Sequence, residues 1–86
     1  MYIAINEENV VAALREAGEK LESKDGSWVL DFSSVRKLDA AAVRQMERLA
    51  QVVEEKGTKV VLRGVNVEVY KVLKLVKLTR QFSFEN

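Results

Sequence analysis

Asp31, Asp39, Ser33, Ser34 and the trio Lys71, Lys74 and Lys77 are the side chains whose type and spacing invite a chemical reading. Asp31 sits between Leu30 and Phe32 in an apolar run and has no second carboxylate beside it, so it cannot form half of an acid–base pair. It is expected to tie down the loop that follows. Asp39 precedes Ala40-Ala41-Ala42, three strong helix formers. In that position a carboxylate accepts backbone N–H groups as an N-cap, and its loss costs about 1 kcal/mol. It also stands at a helix tip, where a partner could meet it. Ser33 and Ser34 are turn residues by type, and their hydroxyls are the alternative acceptors for a phosphate. Lys71, Lys74 and Lys77, with Arg80 beyond, read as the solvated side of a helix. The other reading of that stripe is a contact for an acidic partner or for anionic lipid headgroups.

The absences narrow the chemistry further. The chain has 86 residues and contains no cysteine, no histidine and no proline. Thiolate nucleophiles, disulfides, and the commonest general base and metal ligand are therefore excluded. Gly57 and Gly64 are isolated and form no phosphate-binding loop. No catalytic residue, metal site or cofactor is expected. Apolar residues make up 48% and charged residues 31%, which places the chain among folded globular domains rather than disordered ones. A single domain spanning 1–86 is expected. No apolar run reaches the roughly 18 residues a membrane span needs. The start Met-Tyr-Ile-Ala-Ile-Asn is not a basic signal region, so a cytoplasmic location is expected.

The net charge of +1 hides an asymmetry. Residues 1–58 hold 8 Lys/Arg against 11 Asp/Glu, and residues 59–86 hold 6 against 2. The polarity can orient a partner, but it lacks the surface aromatics of a nucleic-acid site.

The elements that must position these groups follow from periodicity. Tyr2 to Ile5 is β-type. Asn6 caps a helix over 7–23, with Glu7 and Glu8 in its first turn and Val10, Ala13, Leu14, Ala17 and Leu21 as its apolar stripe. Lys20 and Lys24 fall near its end, and Asp25-Gly26-Ser27 breaks it. Trp28 to Phe32 is a strand and 33–38 a loop. A second helix over 39–56 buries Val43, Met46, Leu49, Ala50 and Val53, leaves Arg44, Glu47, Arg48, Gln51 and Glu55 wet, and ends at Gly57. Residues 59–63 form a strand, central like 28–32, because both read as near-continuous apolar runs. Residues 66–78 are rich in β-branched side chains, yet the three-residue lysine spacing makes one stripe only on a helix. Phe82-Ser83-Phe84 closes the chain as an edge strand. The order βαβαβα(β) predicts an α/β fold with a mixed sheet of four or five strands and helices packed against it.

At this point the order resembles a known family. Trp28-Val29-Leu30-Asp31-Phe32-Ser33-Ser34-Val35 followed by Leu38-Asp39-Ala40-Ala41-Ala42-Val43 is similar to the central signature of STAS domains, the family of anti-sigma-factor antagonists. Gly57-Thr58-Lys59-Val60-Val61-Leu62, the Val69–Leu78 helix and the terminal Phe82 agree with it. The N-terminal part is abbreviated, with one strand where many members have two. Many members carry a phosphorylatable Ser or Thr directly after the capping Asp. Here that residue is Ala40, which has no hydroxyl, so phosphorylation is expected at neither this site nor, short of the Ser33 and Ser34 alternatives, elsewhere in the loop.

The resemblance implies a non-enzymatic regulatory interaction module in bacterial signalling and transcription. Its expected partner-binding residues are Ser33, Ser34, Arg36, Lys37, Asp39, Ala40, Arg44, Glu47, Arg48 and Gln51. The partner would be an anti-sigma factor of the serine-kinase type. The alternative is the ATPase subunit of a bacterial lipid-transport ABC complex, with this chain as its small STAS subunit. Neither nucleic-acid binding nor membrane insertion is expected, and self-association would go no further than a weak homodimer.

Overall fold

The computed structural model describes residues 1–23 and 26–85. Its elements run β1 (Tyr2–Ala4), a 3-10 turn (Glu7–Asn9) leading into α1 (Val10–Ser23), β2 (Trp28–Asp31), α2 (Ala40–Lys56), β3 (Val60–Arg63), α3 (Val67–Leu75) and β4 (Ser83–Glu85). Lys24 and Asp25, expected at the end of the first helix and in its break, lie outside the described residues.

Each helical segment starts where a side-chain oxygen replaces an absent backbone acceptor. Asn6 Oδ1 accepts from the N–H of Glu8 at 2.9 Å, Asp39 Oδ1 from Ala42 at 2.8 Å, and Asn66 Oδ1 from Val69 at 2.8 Å. The helix ends are equally specific. Gly57 takes the left-handed conformation after α2 with φ 64°. The Lys56 ammonium donates to the carbonyls of Leu21 (2.8 Å) and Glu22 (3.0 Å), which ties the end of α2 to the end of α1.

The third helix is shorter than its sequence pattern, which runs to 78. It stops at Leu75 because the chain turns through Lys77, whose φ is 62°. The N–H of Leu78 reaches the Leu73 carbonyl at 2.9 Å, and that of Lys77 reaches Lys74 at 3.1 Å. Together with the buried pair Leu73 and Leu78, this is a Schellman closure with lysine where glycine is usual. Lys77 therefore leaves the helical stripe of Lys71 and Lys74.

The strands lie in the order β1-β2-β3-β4. All three pairings are parallel, so the expected mixture of directions is not there. The physical reason is that every strand is joined to the next through a helical crossover. Antiparallel neighbours arise most simply from a tight hairpin, and the described residues contain none.

The two central strands also differ from the expectation of continuous burial. Trp28, Leu30, Val60 and Leu62 are buried, whereas Val29 and Val61 are half-buried. The register explains this. Ile3, Leu30, Leu62 and Phe84 form one row, and all four belong to or pack against the core. Tyr2, Val29, Val61 and Ser83 form the next row on the opposite face, and none of them joins the core. Successive right-handed crossovers in one direction across a sheet bring all helices to one side of it. Leu14, Ala17 and Leu21 of α1, Met46, Leu49, Ala50 and Val53 of α2, and Val69 and Leu73 of α3 meet that side in one cluster.

Candidate functional site

The carboxyl ends of β2 and β3, where loops lead into α2 and α3, gather the loop residues singled out by sequence. Asp31 closes β2 and does what was expected of it: Oδ1 accepts the backbone N–H of Ser33 at 2.9 Å, and Oδ2 accepts the Tyr2 hydroxyl. Hydrogen bonds from Ser33 first, and then from Tyr2, hold its carboxyl down to about 2. The same bond to Asp31 raises the Tyr2 phenol. Asp31 is thus fully engaged as a structural anion.

The loop 33–38 is fastened at three further points. The Ser34 hydroxyl donates to the Ile5 carbonyl at 3.0 Å. Asn66, while capping α3 with its oxygen, donates its amide to the carbonyls of Val35 (3.3 Å) and Arg36 (2.9 Å). Gly64 lies directly under Ser33: a Cβ built there would sit 2.9 Å from Ser33 Cβ and 3.0 Å from Ser33 Cα. Val35 and Leu38 are buried, which leaves Arg36 and Lys37 on the surface. Arg36 Nε lies 3.7 Å from Glu7 Oε1 in an exposed ion pair, an arrangement that contributes little stability. The loop is therefore presented as a preset shape.

Ala40 is the first helical residue of α2 and is exposed, next to an Asp39 whose carboxylate is committed to the Ala42 N–H. From Ala40 the exposed positions Arg44, Glu47 and Gln51 follow at four, three and four residues, one stripe along the helix. Gln51 Nε2 lies 3.4 Å from Glu55 Oε1. Arg48 stands at the shoulder of that stripe and lines the groove between α1 and α2 with Arg15, Glu19 and Glu22. The ten expected residues thus form a loop, a helix tip and a helix face in continuity, with Arg48 turned towards α1 and Ser33 and Ser34 spent largely on holding the loop.

The structure adds a feature that the sequence did not single out. A notch of about 410 Å3 opens between the start of α1 and the start of α2, lined by Glu7, Glu8, Asn9, Val10, Val11, Lys37, Asp39 and Ala42. Its rim carries three carboxylates against one ammonium, so it favours a cationic or neutral visitor over a phosphate. Gly64 and Asn66 were also missed as loop supports. The glycine between β3 and α3 was a visible signal for one, but the second role of the Asn66 amide had none. Among the described residues no group of three or more Asp and Glu could hold a metal ion.

A family model described as "Mlab, STAS domain" matches residues 7–83. The chain belongs to the STAS domain family. The crystal structure of a Thermotoga maritima protein assigned as an anti-sigma factor antagonist is similar to this STAS domain with a TM-score of 0.74. The two are 20% identical over 96% of this chain and 72% of that one, a likeness of fold. No curated protein matches. The STAS assignment agrees with the strand–Asp–loop–Asp–helix order read from 28 to 43, and with a domain whose connections are helical crossovers. No helix among the described residues is long and apolar enough to cross a membrane.

Proposed function

We propose that this STAS domain is a non-enzymatic docking module that binds a protein partner through the 33–38 loop, the Asp39–Ala40 helix tip and the Arg44–Glu47–Gln51 face of α2. The observation that carries the reading is Ala40. It places an exposed methyl group at the head of α2, beside a loop already fastened by Asp31, Asn66 and Gly64. A pre-ordered loop and helix lose little conformational freedom on binding. Ala40 accepts no phosphate, so the head of α2 stays in one charge state, and a partner that rejects a phosphorylated helix tip binds it constitutively. Chemistry on a substrate has no support here. The site has no nucleophile–base pair, and both of its aspartates are occupied by backbone N–H groups.

Two partner classes fit. One is an anti-sigma factor of the serine-kinase type, whose capture would release a sigma factor. The other is the ATPase subunit of a lipid-transport ABC complex, and Ala40 favours it specifically, because a resident subunit needs no phosphorylation switch. The test is affinity capture with the purified chain, with identification of the partner by mass spectrometry and measurement of its affinity. Arg44→Glu with Arg48→Glu should weaken the complex by at least ~1–2 kcal/mol while leaving thermal stability nearly unchanged. Lys71→Glu with Lys74→Glu should leave it intact. The opposite pattern removes the α2 face from consideration.

A further inference from the structure

The helix α3 presents an outer face that neither the core nor the docking loop uses. Five large apolar side chains are exposed among the described residues, and three of them are on α3: Val67 at 70%, Tyr70 at 41% and Leu75 at 81%. Val67, Lys71, Lys74 and Leu75 are spaced i, i+4, i+7 and i+8, so they share one stripe, with Tyr70 at its edge stacked edge-on against Phe84 at 5.1 Å. Glu68, the single acid between 67 and 80, is exposed three residues before Lys71 and seven before Leu75 and so borders the same stripe, while Lys77 and Arg80 add positive charge beyond the helix end.

We propose that this face docks on an anionic membrane surface. Its charge selects an anionic occupant, and the order of the residues selects the kind. A protein–protein interface gathers its apolar residues in a dry centre and is depleted of lysine there. In α3 the order is reversed: Lys71 stands midway between Val67 and Leu75, four residues from each, and Lys74 adjoins Leu75. A partner that buried Leu75 would have to desolvate both ammonium groups. A bilayer interface imposes no such cost, because lysine stems lie along the apolar boundary while their ammonium groups stay among the headgroups. Lys71, Lys74 and Leu75 border one open depression, and Val67 and Tyr70 line a second with Phe84. With nine residues α3 is only about 13 Å long, so it lies on the interface. The stripe shares no residue with the α2 docking face and stands independently of it.

The test is co-sedimentation of the purified chain with vesicles, either phosphatidylcholine alone or phosphatidylcholine with an equal part of phosphatidylglycerol. The wild type should partition onto the anionic vesicles, less so as salt is added, and not onto the neutral ones. Each basic residue near such a surface is worth roughly fivefold, so Lys71→Glu with Lys74→Glu should reduce partitioning by at least about 25-fold. Leu75→Ser should reduce it while preserving the preference for anionic lipid. Arg44→Glu with Arg48→Glu changes net charge equally on α2, away from the α3 stripe, and should retain most of the binding. No partitioning, equal partitioning on both vesicles, or an equal loss from the Arg44/Arg48 pair would overturn the proposal. The stripe would then be left to an acidic protein.

Discussion

Replacing Gly64 by alanine places a methyl group where the β2–α2 loop passes. The nearest atoms would be Ser33 Cβ at 2.9 Å, Cα at 3.0 Å and N at 3.2 Å, so the obstruction is mainly backbone. Ser33 cannot simply step aside, since its N–H is held by Asp31 at 2.9 Å and the next residue is bonded to Ile5 at 3.0 Å. Relieving such an overlap costs about 1–3 kcal/mol. The φ of 71° adds about 1 kcal/mol for any residue with a Cβ. The expected loss is therefore about 2–4 kcal/mol, much of the stability of a chain this short. Gly57→Ala supplies the control: its φ is 64°, but nothing lies within 4 Å of the added atom, so it should cost only about 1 kcal/mol. Urea unfolding followed by circular dichroism reads both, with midpoint shifts of roughly 1.5–3 M and below 1 M at the slope usual for small domains. If Gly64→Ala loses no more than Gly57→Ala, the loop is not wedged against this glycine, and its preset shape has another origin.

Asn66→Asp keeps the acceptor that caps α3 but turns the donor facing Val35 and Arg36 into an anion facing two carbonyls. Amide exchange should accelerate over 35–38, with α3 retained by circular dichroism. The Asp31 carboxyl, held near 2 in the folded chain and close to the usual carboxylate value when unfolded, stabilises the fold above about pH 4. That contribution falls away between pH 4 and pH 2 as the group protonates, so Asp31→Asn should flatten the acid limb of a urea-midpoint profile. Lys77→Gly relieves a left-handed residue at a helix closure and should raise stability by up to about 1 kcal/mol, measured as a rise in Tm.

Most of the fold was legible because its helices announce their starts. Asn6, Asp39 and Asn66 each combine a capping side chain with an apolar stripe beginning one turn later, and all three act as caps. The exit of α2 at Gly57 was equally plain. The exit of α3 was not, because Lys77 is a poor residue for a left-handed turn and continues the lysine spacing. Only the tertiary pairing of Leu78 with Leu73 reveals the stop. Strand direction was only partly legible, since a short apolar run such as Val60–Arg63 carries no mark of which neighbour it will meet. The run Trp28-Val29-Leu30 likewise conceals that one face stays outside the core, because valine suits a half-buried position as well as a buried one. At the candidate site, the helix face of Arg44, Glu47 and Gln51 could be read from periodicity. The notch with Glu7 and Glu8 depends on two segments some thirty residues apart in sequence, which no local pattern relates.

A sheet whose spatial order equals its chain order can be built as the chain is made. At about 5–20 residues per second of synthesis, each strand leaving the ribosome finds its partner already present at the growing edge, and no later strand has to insert between two earlier ones. The exposed edge moves outward from β1 to β2 to β3. The most vulnerable interval then falls late, when the apolar edge of Val60, Val61 and Leu62 is out and Ser83–Glu85 has yet to arrive. Until β4 pairs with it, that edge is an unpaired template for another chain. The three-residue strand β4 adds little area to the finished domain, yet by pairing with β3 it replaces the apolar edge of Val60, Val61 and Leu62 with the shorter edge of Ser83–Glu85.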